Sequence, residues 1–338
     1  MTLMEAIRRV AAHAGKLDAL RLLRVTHDQV SSVNPGGGAI CTFAPEVDFE
    51  VAIDVGRIMR IAEVMVGEEV TKVKNNLRLV GAAGTFTVPV QVVDNAPKRV
   101  KIPKEWVQMP EKFLAAVGRV AYARGRDETR NHLSGVVLSE EHIFALDGHR
   151  AAVCPSPEEL GELVGDVPRC TVPWEFFRGF EGELEMAMVA GSDTIYARQG
   201  DEVRWAQARQ GAPDIKVLVK SLLKHPRWVI KREDLLVTVQ TANLIGSRNA
   251  VMLLEIDGEH VKISCYDLEG GGAYERVVDV VRGGATEVAV VRINPQYLLK
   301  ALGSSEGEEI KLGVRGPLDT VVVEDYEDYQ AFISPMRD

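Results

Sequence analysis

One pattern returns along the chain. A short alternating strand meets a polar or proline-containing step, a short amphipathic helix follows, and two or three alternating strands close the unit. The strand-to-helix heads are Phe49-Glu50-Val51-Ala52-Ile53 into 55–66, Val100-Lys101-Ile102-Pro103 into 110–124, and Cys170-Thr171-Val172-Pro173 into 174–180. Two more are Trp228-Val229-Ile230 into 232–245 and Val290-Val291-Arg292-Ile293 into 294–302. A further unit opens the chain with a helix over 3–14, its leading strand absent or reduced to a stub. A spacing of roughly 50–70 residues is too long and irregular for a solenoid. It predicts an α+β protein of six β-α-β-β units, paired into three similar domains at 1–96, 97–220 and 221–338. The linkers expected are Asn95-Ala96-Pro97 and 213–225. Asp257-Gly258, between two alternating runs, is a hairpin signal.

The helix over 110–124 says most about use. Phe113, Leu114, Val117 and Ala121 recur at helical spacing and are expected to face a sheet. Lys112, Ala115, Arg119, Ala123 and Arg126 fall on other faces, small or basic. A helix that turns a low, positive face outward suits contact with phosphates, loosely held and without base reading. Arg8, Arg9 and Lys16 on the first helix, Arg57 and Arg60 on the second, Arg232 on the fifth and Lys300 on the sixth extend the theme. Any one of these is as readily a solvated surface charge; their recurrence in a chain of net charge −9 favours a shared basic face.

That acidic balance argues against holding nucleic acid by bulk electrostatics and leaves room for holding it by topology, with only an inner wall basic. Cys41, Cys154, Cys170 and Cys265 form no C-x-x-C pair and have no histidine at ligand spacing, so they are expected to be buried, reduced thiols, and no metal site or cofactor is expected. No run approaches the roughly 18 apolar residues of a membrane span, and Met1-Thr2-Leu3-Met4-Glu5 does not open a secretory signal; the cytoplasm is the expected compartment, with no membrane partner. Asp147 and His149 have the look of half a catalytic triad, but Asp-Gly suits a turn that starts a strand at His149-Arg150. Gly303-Ser304-Ser305-Glu306-Gly307 follows a helix, whereas a nucleophile elbow precedes one. Gly36-Gly37-Gly38 and Gly270-Gly271-Gly272 lack the residues of phosphate loops and are expected to be flexible loops. A non-enzyme is expected.

Three segments resemble a known family. They are Leu133-Ser134-Gly135-Val136-Val137-Leu138 with Ala145-Leu146-Asp147-Gly148-His149-Arg150-Ala151-Ala152, then Ile293-Asn294-Pro295-Gln296-Tyr297-Leu298, then Phe332-Ile333-Ser334-Pro335-Met336-Arg337-Asp338. In order and spacing they are similar to the bacterial sliding clamp, the beta subunit of DNA polymerase III. Leu146 stands where that family usually has threonine, Ala151 where it has leucine, and Asp338 where it ends in leucine; Arg248 sits near a position that is often aromatic. The divergence, with a shortened first domain, fits a phage-encoded member.

The resemblance implies a DNA-clamp fold of three domains, each of two β-α-β-β(-β) units, closing head to tail as a homodimeric ring with helices inside. It implies a processivity factor that encircles duplex DNA without reading sequence and serves a DNA polymerase, a clamp loader and other proteins carrying a clamp-binding motif. Their peptides are expected in a pocket matched here by Arg130, Leu133, Leu146, Gly148, His149, Arg150, Ala151, Pro213, Leu218, Asn294, Tyr297, Leu318, Thr320, Ile333, Pro335, Met336 and Arg337. The inner wall would carry Arg8, Arg9, Lys16, Arg57, Arg60, Lys112, Arg119, Arg126, Arg232 and Lys300, and the ring interface Leu244 and Ile245. A clamp-like module that binds replication proteins without encircling DNA is the rival expectation. A hydrolase centred on Asp147 and His149 is a third.

Overall fold

In the computed structural model, all residues are described except 16–17, 45, 66–68, 97–100, 128, 166–168, 190–191, 223–224, 246–250, 267–271, 284–287 and 338, and the side chains of 18, 19, 131, 221, 222 and 245. Among the described residues the helices are α1 (Leu3–Ala11), α2 (Val55–Ala62), α3 (Lys112–Val120), α4 (Glu158–Val164), α5 (Trp174–Phe177), α6 (Ile215–Leu222), α7 (Arg232–Ile245) and α8 (Pro295–Ser304). Sequence chemistry starts three of them. Thr2 and Glu5 form a reciprocal capping box on α1, Asp54 accepts from the Arg57 N–H of α2, and Asn294 accepts from the Gln296 N–H of α8 ahead of Pro295.

The chain forms two compact units. One comprises residues 1–111 and 178–208, the other 112–177 and 209–338. In the first, an antiparallel eight-stranded sheet runs in the order Val51–Asp54, Leu22–Val25, Gln29–Asn34, Gly37–Thr42, Glu202–Gln207, Thr194–Gln199, Leu184–Met188, Val107–Met109. A three-stranded sheet, Glu69–Val73, Asn76–Gly81 and Gly84–Pro89, lies in the same unit. Apolar faces of α1 and α2 meet these sheets in a core that includes Met4, Ile7, Val10, Ile58, Leu23, Ile53 and Leu77. The central pairing needs small residues: a side chain on Gly37 or Gly38 would run into Trp205 on the neighbouring strand. The run expected to be a flexible loop therefore enters a strand.

In the second unit, twelve strands form one sheet: Arg169–Val172, Val136–Ser139, His142–Leu146, Arg150–Pro155, Gln330–Ile333, Val321–Glu324, Glu309–Gly313, Arg227–Lys231, Ala273–Gly283, His260–Tyr266, Val251–Ile256, Ala289–Ile293. Here α3 packs on His142–Leu146 and Arg150–Pro155, while α7 and α8 pack on each other. Phe113 meets Phe177 edge to face at 5.9 Å, tying α3 to α5.

Repetition is visible in the turns. Asp147 Oδ1 accepts from the N–H groups of His149 (2.9 Å) and Arg150 (3.0 Å), and Asp257 Oδ1 from those of Glu259 (2.8 Å) and His260 (2.6 Å). In each case a carboxylate folds the chain back into the next strand. Asp325 does the same for Glu327 and Tyr329.

The three domains expected from the repeat cut the chain differently from the two compact units. The reason is pairing: Gly37–Thr42 bonds directly to Glu202–Gln207, and Arg150–Pro155 to Gln330–Ile333, so the sheets run past the expected boundaries. Two local expectations are corrected. The strand ahead of α3 is Val107–Met109, whereas 101–103, expected to be part of it, are outside any strand and 100 lies outside the described residues; the stretch 213–225, expected to be a linker, contains α6. A mostly apolar Ile215-Lys216-Val217-Leu218-Val219 run forms the helix because it has a cluster to cover, described next.

Candidate functional site

Alternation in the second unit divides the pocket residues between the two faces of its sheet. Leu146 pairs with Ala151, Ala151 with Phe332, and Phe332 with Val322, so these four form one cross-strand row. The row belongs to an apolar cluster with Val137, Phe144, Val153, Ala212 and Ile215, edged by the half-buried Leu146, Leu218 and Val219. Thus α6 roofs this face and leaves an apolar step beside it.

Arg150 pairs with Ile333 and points the other way. Its side chain is 8% exposed, its Nε donates to Asp147 Oδ2 at 2.9 Å, and its guanidinium lies 4.6 Å from the Tyr297 ring and 5.6 Å from the Tyr122 ring. Ile333, 1% exposed, is core on the same side. Expected to line the pocket, Arg150 and Ile333 are instead beneath it, and Phe332 is the residue of that strand that the apolar cluster uses.

At the turn end of the same strands lies an open groove of about 610 Å³, lined by Gly148, His149, Asn294, Tyr297, Leu318, Thr320, Ser334, Pro335, Met336 and Arg337. Every one but Ser334 was expected from the sequence. The wall formed by the C-terminal segment is held by two backbone bonds, Ser334 N–H to His149 carbonyl (2.8 Å) and Met336 N–H to Arg292 carbonyl (2.7 Å). Gly148, at φ +93°, takes the turn in a conformation that side chains resist. Each strand carries the groove into the apolar row: Leu146 precedes the Gly148 turn, Thr320 precedes Val322 by two residues, and Ser334 follows Phe332 by two. Arg130 and Pro213 are exposed, with Arg130 Nη1 4.0 Å from where a Gly148 side chain would begin. Leu133 is buried, and Gly135 beside it leaves no room for a side chain against the Val172 carbonyl.

The residues that have a catalytic look in the sequence are engaged otherwise. Asp147 gives its carboxylate to two backbone N–H groups and Arg150, so it does not orient the exposed His149 ring as a triad would require. Ser305, in the G-x-S-x-G run, is buried and donates to the Leu302 carbonyl at 2.8 Å. No metal-holding cluster of His, Cys, Asp or Glu occurs among the described residues. All four cysteines are buried, and burial pushes the thiols of Cys41, Cys154 and Cys170 up to about 12. No described helix is long and apolar enough to cross a membrane.

The nominated cations divide by what their head groups touch. Arg57, Arg60, Lys112, Arg126 and Lys300 are exposed. Burial, with Arg150, Arg126 and Arg124 nearby, holds the Lys300 ammonium below the usual lysine range. Arg9 is exposed but lies 3.7 Å from the buried Glu202. Three have their head groups bonded within the fold. Arg8 donates to the carbonyls of Ala62 (2.7 Å) and Met65 (3.1 Å), closing the end of α2. Arg232 does the same for α8, donating to Gly307 (3.0 Å) and Leu302 (3.4 Å). Arg119, 13% exposed, pairs with the fully buried Asp325, donates to the Ser304 carbonyl at 2.9 Å and lies 4.7 Å over the Tyr329 ring. These arginines satisfy helix ends and a buried carboxylate. Lys16, Arg248 and Asp338 lie outside the described residues, as does the Ile245 side chain; Leu244 is 84% exposed.

Solved structures match the whole backbone. It superposes on the crystal structure of the DNA polymerase sliding clamp from Bacillus subtilis with a TM-score of 0.83, 16% identity, and 99% of this chain and 97% of that one covered. The chain has the fold of a bacterial sliding clamp. The DNA polymerase III beta subunit of Pseudomonas aeruginosa gives the same TM-score of 0.83 at 18% identity, over 99% and 98% of the two chains. Residues 224–337, which carry α7, α8 and most of the groove, match the family model of the DNA polymerase III beta subunit, C-terminal domain. The beta sliding clamp of Salmonella typhimurium is 28% identical over 230 residues, 64% of this chain, and that of Escherichia coli K12 27% over 229. Those alignments span 61% of the curated relatives' own length. The clamp fold read from three sequence segments is thus the fold of the whole chain.

Proposed function

We propose that this clamp-fold protein is a ring-forming processivity factor that encircles duplex DNA and tethers a DNA polymerase and other partners by short peptides docked in the groove. The observation that carries the reading is the site itself. Nine residues nominated from family position converge on one open groove that runs on into an apolar step at Leu146, Leu218 and Val219. A peptide with an apolar anchor suits the step, while His149, Arg337 and Arg130 offer polar and charged partners at its rim.

Two features support closure into a head-to-tail homodimer. Leu244 is an apolar side chain left in water, and over 273–279 the long strand pairs on one side only among the described residues. Exposed Arg57, Arg60, Lys112, Arg126 and Lys300 are the inner-wall cations that this reading keeps. Their loose phosphate contacts would permit sliding. A separate loader protein would open the ring, and tethering would raise the polymerase's effective concentration at the primer end.

Class averages of the purified protein in negative stain test the reading. Closed dimeric rings with a hole wide enough for duplex DNA, about 20 Å across, are expected. Monomers or open crescents that still bind peptide would refute encirclement and favour a docking module that does not surround DNA.

A further inference from the structure

Arg150 touches groove machinery from below at two independent points. Through Asp147 it braces the turn that presents Gly148 and His149, and through its stacked guanidinium it supports the ring of Tyr297. A third contact leads away from the groove. Tyr122, just past α3, faces the same guanidinium, and its hydroxyl is 2.8 Å from that of Tyr329. Tyr329, fully buried, also donates to the Ala301 carbonyl of α8 at 3.3 Å and lies under Arg119. Tyr122 itself lines no part of the groove.

We propose that Arg150 is a positioning residue for the docking groove, setting the His149 turn and the Tyr297 ring together, and that the Tyr122 ring helps to fix Arg150 in place. This rests on the reading of the groove as a peptide site. The physical requirement is shape as well as charge. A planar guanidinium can lie against two rings and still direct one N–H at a carboxylate, whereas an ammonium is a point charge that cannot stack. A substitution that keeps the charge therefore loses the positioning, and a change at Tyr122 is felt in a groove that it never touches.

The test uses the full-length protein and a fluorescein-labelled synthetic peptide ending in a Leu/Phe anchor, read by fluorescence polarisation beside thermal melting. Arg150→Lys is expected to bind about tenfold more weakly, the loss of a buried stacked cation. Tyr122 supplies the control that bulk stability cannot mimic. Tyr122→Phe loses the hydroxyl bond to Tyr329 but keeps the ring, so it melts earlier and binds peptide as the unmodified protein does. Tyr122→Leu loses the ring, and binds several-fold more weakly. If Arg150→Lys does not fold, the two Tyr122 variants decide alone. Equal affinity of Tyr122→Leu and Tyr122→Phe, or wild-type affinity in Arg150→Lys, would overturn the positioning role while leaving the groove reading intact. No binding by the unmodified protein would overturn both.

Discussion

Arg119 offers two incompatible roles, and one substitution separates them. Its place on α3 suggests a phosphate contact; its surroundings make it a structural cation. Arg119→Met keeps most of the stem's apolar volume and removes the charge. What remains is Asp325, fully buried, with the N–H groups of Glu306 (2.8 Å), Glu327 (2.9 Å) and Tyr329 (3.0 Å) still on its two oxygens. Removing one member of a buried pair costs about 3–5 kcal/mol, and those three surviving donors put this case near the lower end. The Ser304 carbonyl also loses its donor. A loss of about 3 kcal/mol corresponds to a drop of about 1–2 M in the urea midpoint for a typical slope. Asp325→Ala should cost more, near 5 kcal/mol, because it strands three N–H groups and a cation together. In the double variant the costs should fall short of their sum by about 1–3 kcal/mol, as expected for residues in one network. Urea unfolding followed by circular dichroism and tryptophan fluorescence measures all three. An Arg119→Met protein with an unchanged midpoint and weakened retention on circular DNA would refute the structural assignment and restore the DNA contact.

Three further outcomes are expected. His149→Ala, at an exposed position on the groove wall, should weaken peptide binding about five- to thirtyfold, the range of a moderate interface hot spot, with no change in melting temperature; calorimetric titration with the same peptide measures it. Native protein at pH 8 should resist iodoacetamide at Cys41, Cys154 and Cys170, since a thiol pushed up to about 12 is ionised in about one molecule in ten thousand there, against about one in four when unperturbed. Mass spectrometry would show rapid labelling only after denaturation. Burial, helped by Arg204 and opposed by Glu202, lowers His13 to about 4. The unfolded chain therefore takes up the proton first, so this contribution to stability is complete above about pH 6.5 and is lost as pH falls towards 4, by up to about 3 kcal/mol. Melting temperatures between pH 7 and 4.5 should fall less steeply in His13→Gln than in the unmodified protein; parallel slopes would refute the assignment.

The elements that sequence made legible are those whose local signals agreed with their tertiary surroundings. Arg232–Ile245 is helical over the range its pattern predicts, and Asp257-Gly258 makes the hairpin its turn chemistry predicts. Helix ends went wrong where packing stops before apolar periodicity does: α1 ends at Ala11 and α2 at Ala62, while the pattern runs on to 14 and 66. The miss at α6 has the opposite cause. Pro213, Asp214 and Gly211 mark a break, and only the apolar row of Ala151, Phe332 and Val322 on the sheet tells the following residues to form a roof. Nothing local could supply that row, because its members come from strands nearly two hundred residues apart in sequence.

The site was legible to the same depth and no further. Nine of the ten residues that line the groove are among those nominated from family position. Side-chain direction required register. With Arg150 opposite Ile333 and Ala151 opposite Phe332, period-two alternation sends the first pair down and the second pair up, which a list of neighbouring positions cannot distinguish. Where the cations reach depends on the fold for a related reason. A basic residue on a helix is as able to close a neighbouring helix end as to meet phosphate, and the choice depends on which carbonyls the fold brings within reach. Arg8 reaches Ala62 and Arg232 reaches Leu302 across helix pairs that exist only after folding. Arg57, Arg60, Lys112, Arg126 and Lys300, which are exposed, are therefore where charge reversal should cut DNA retention first.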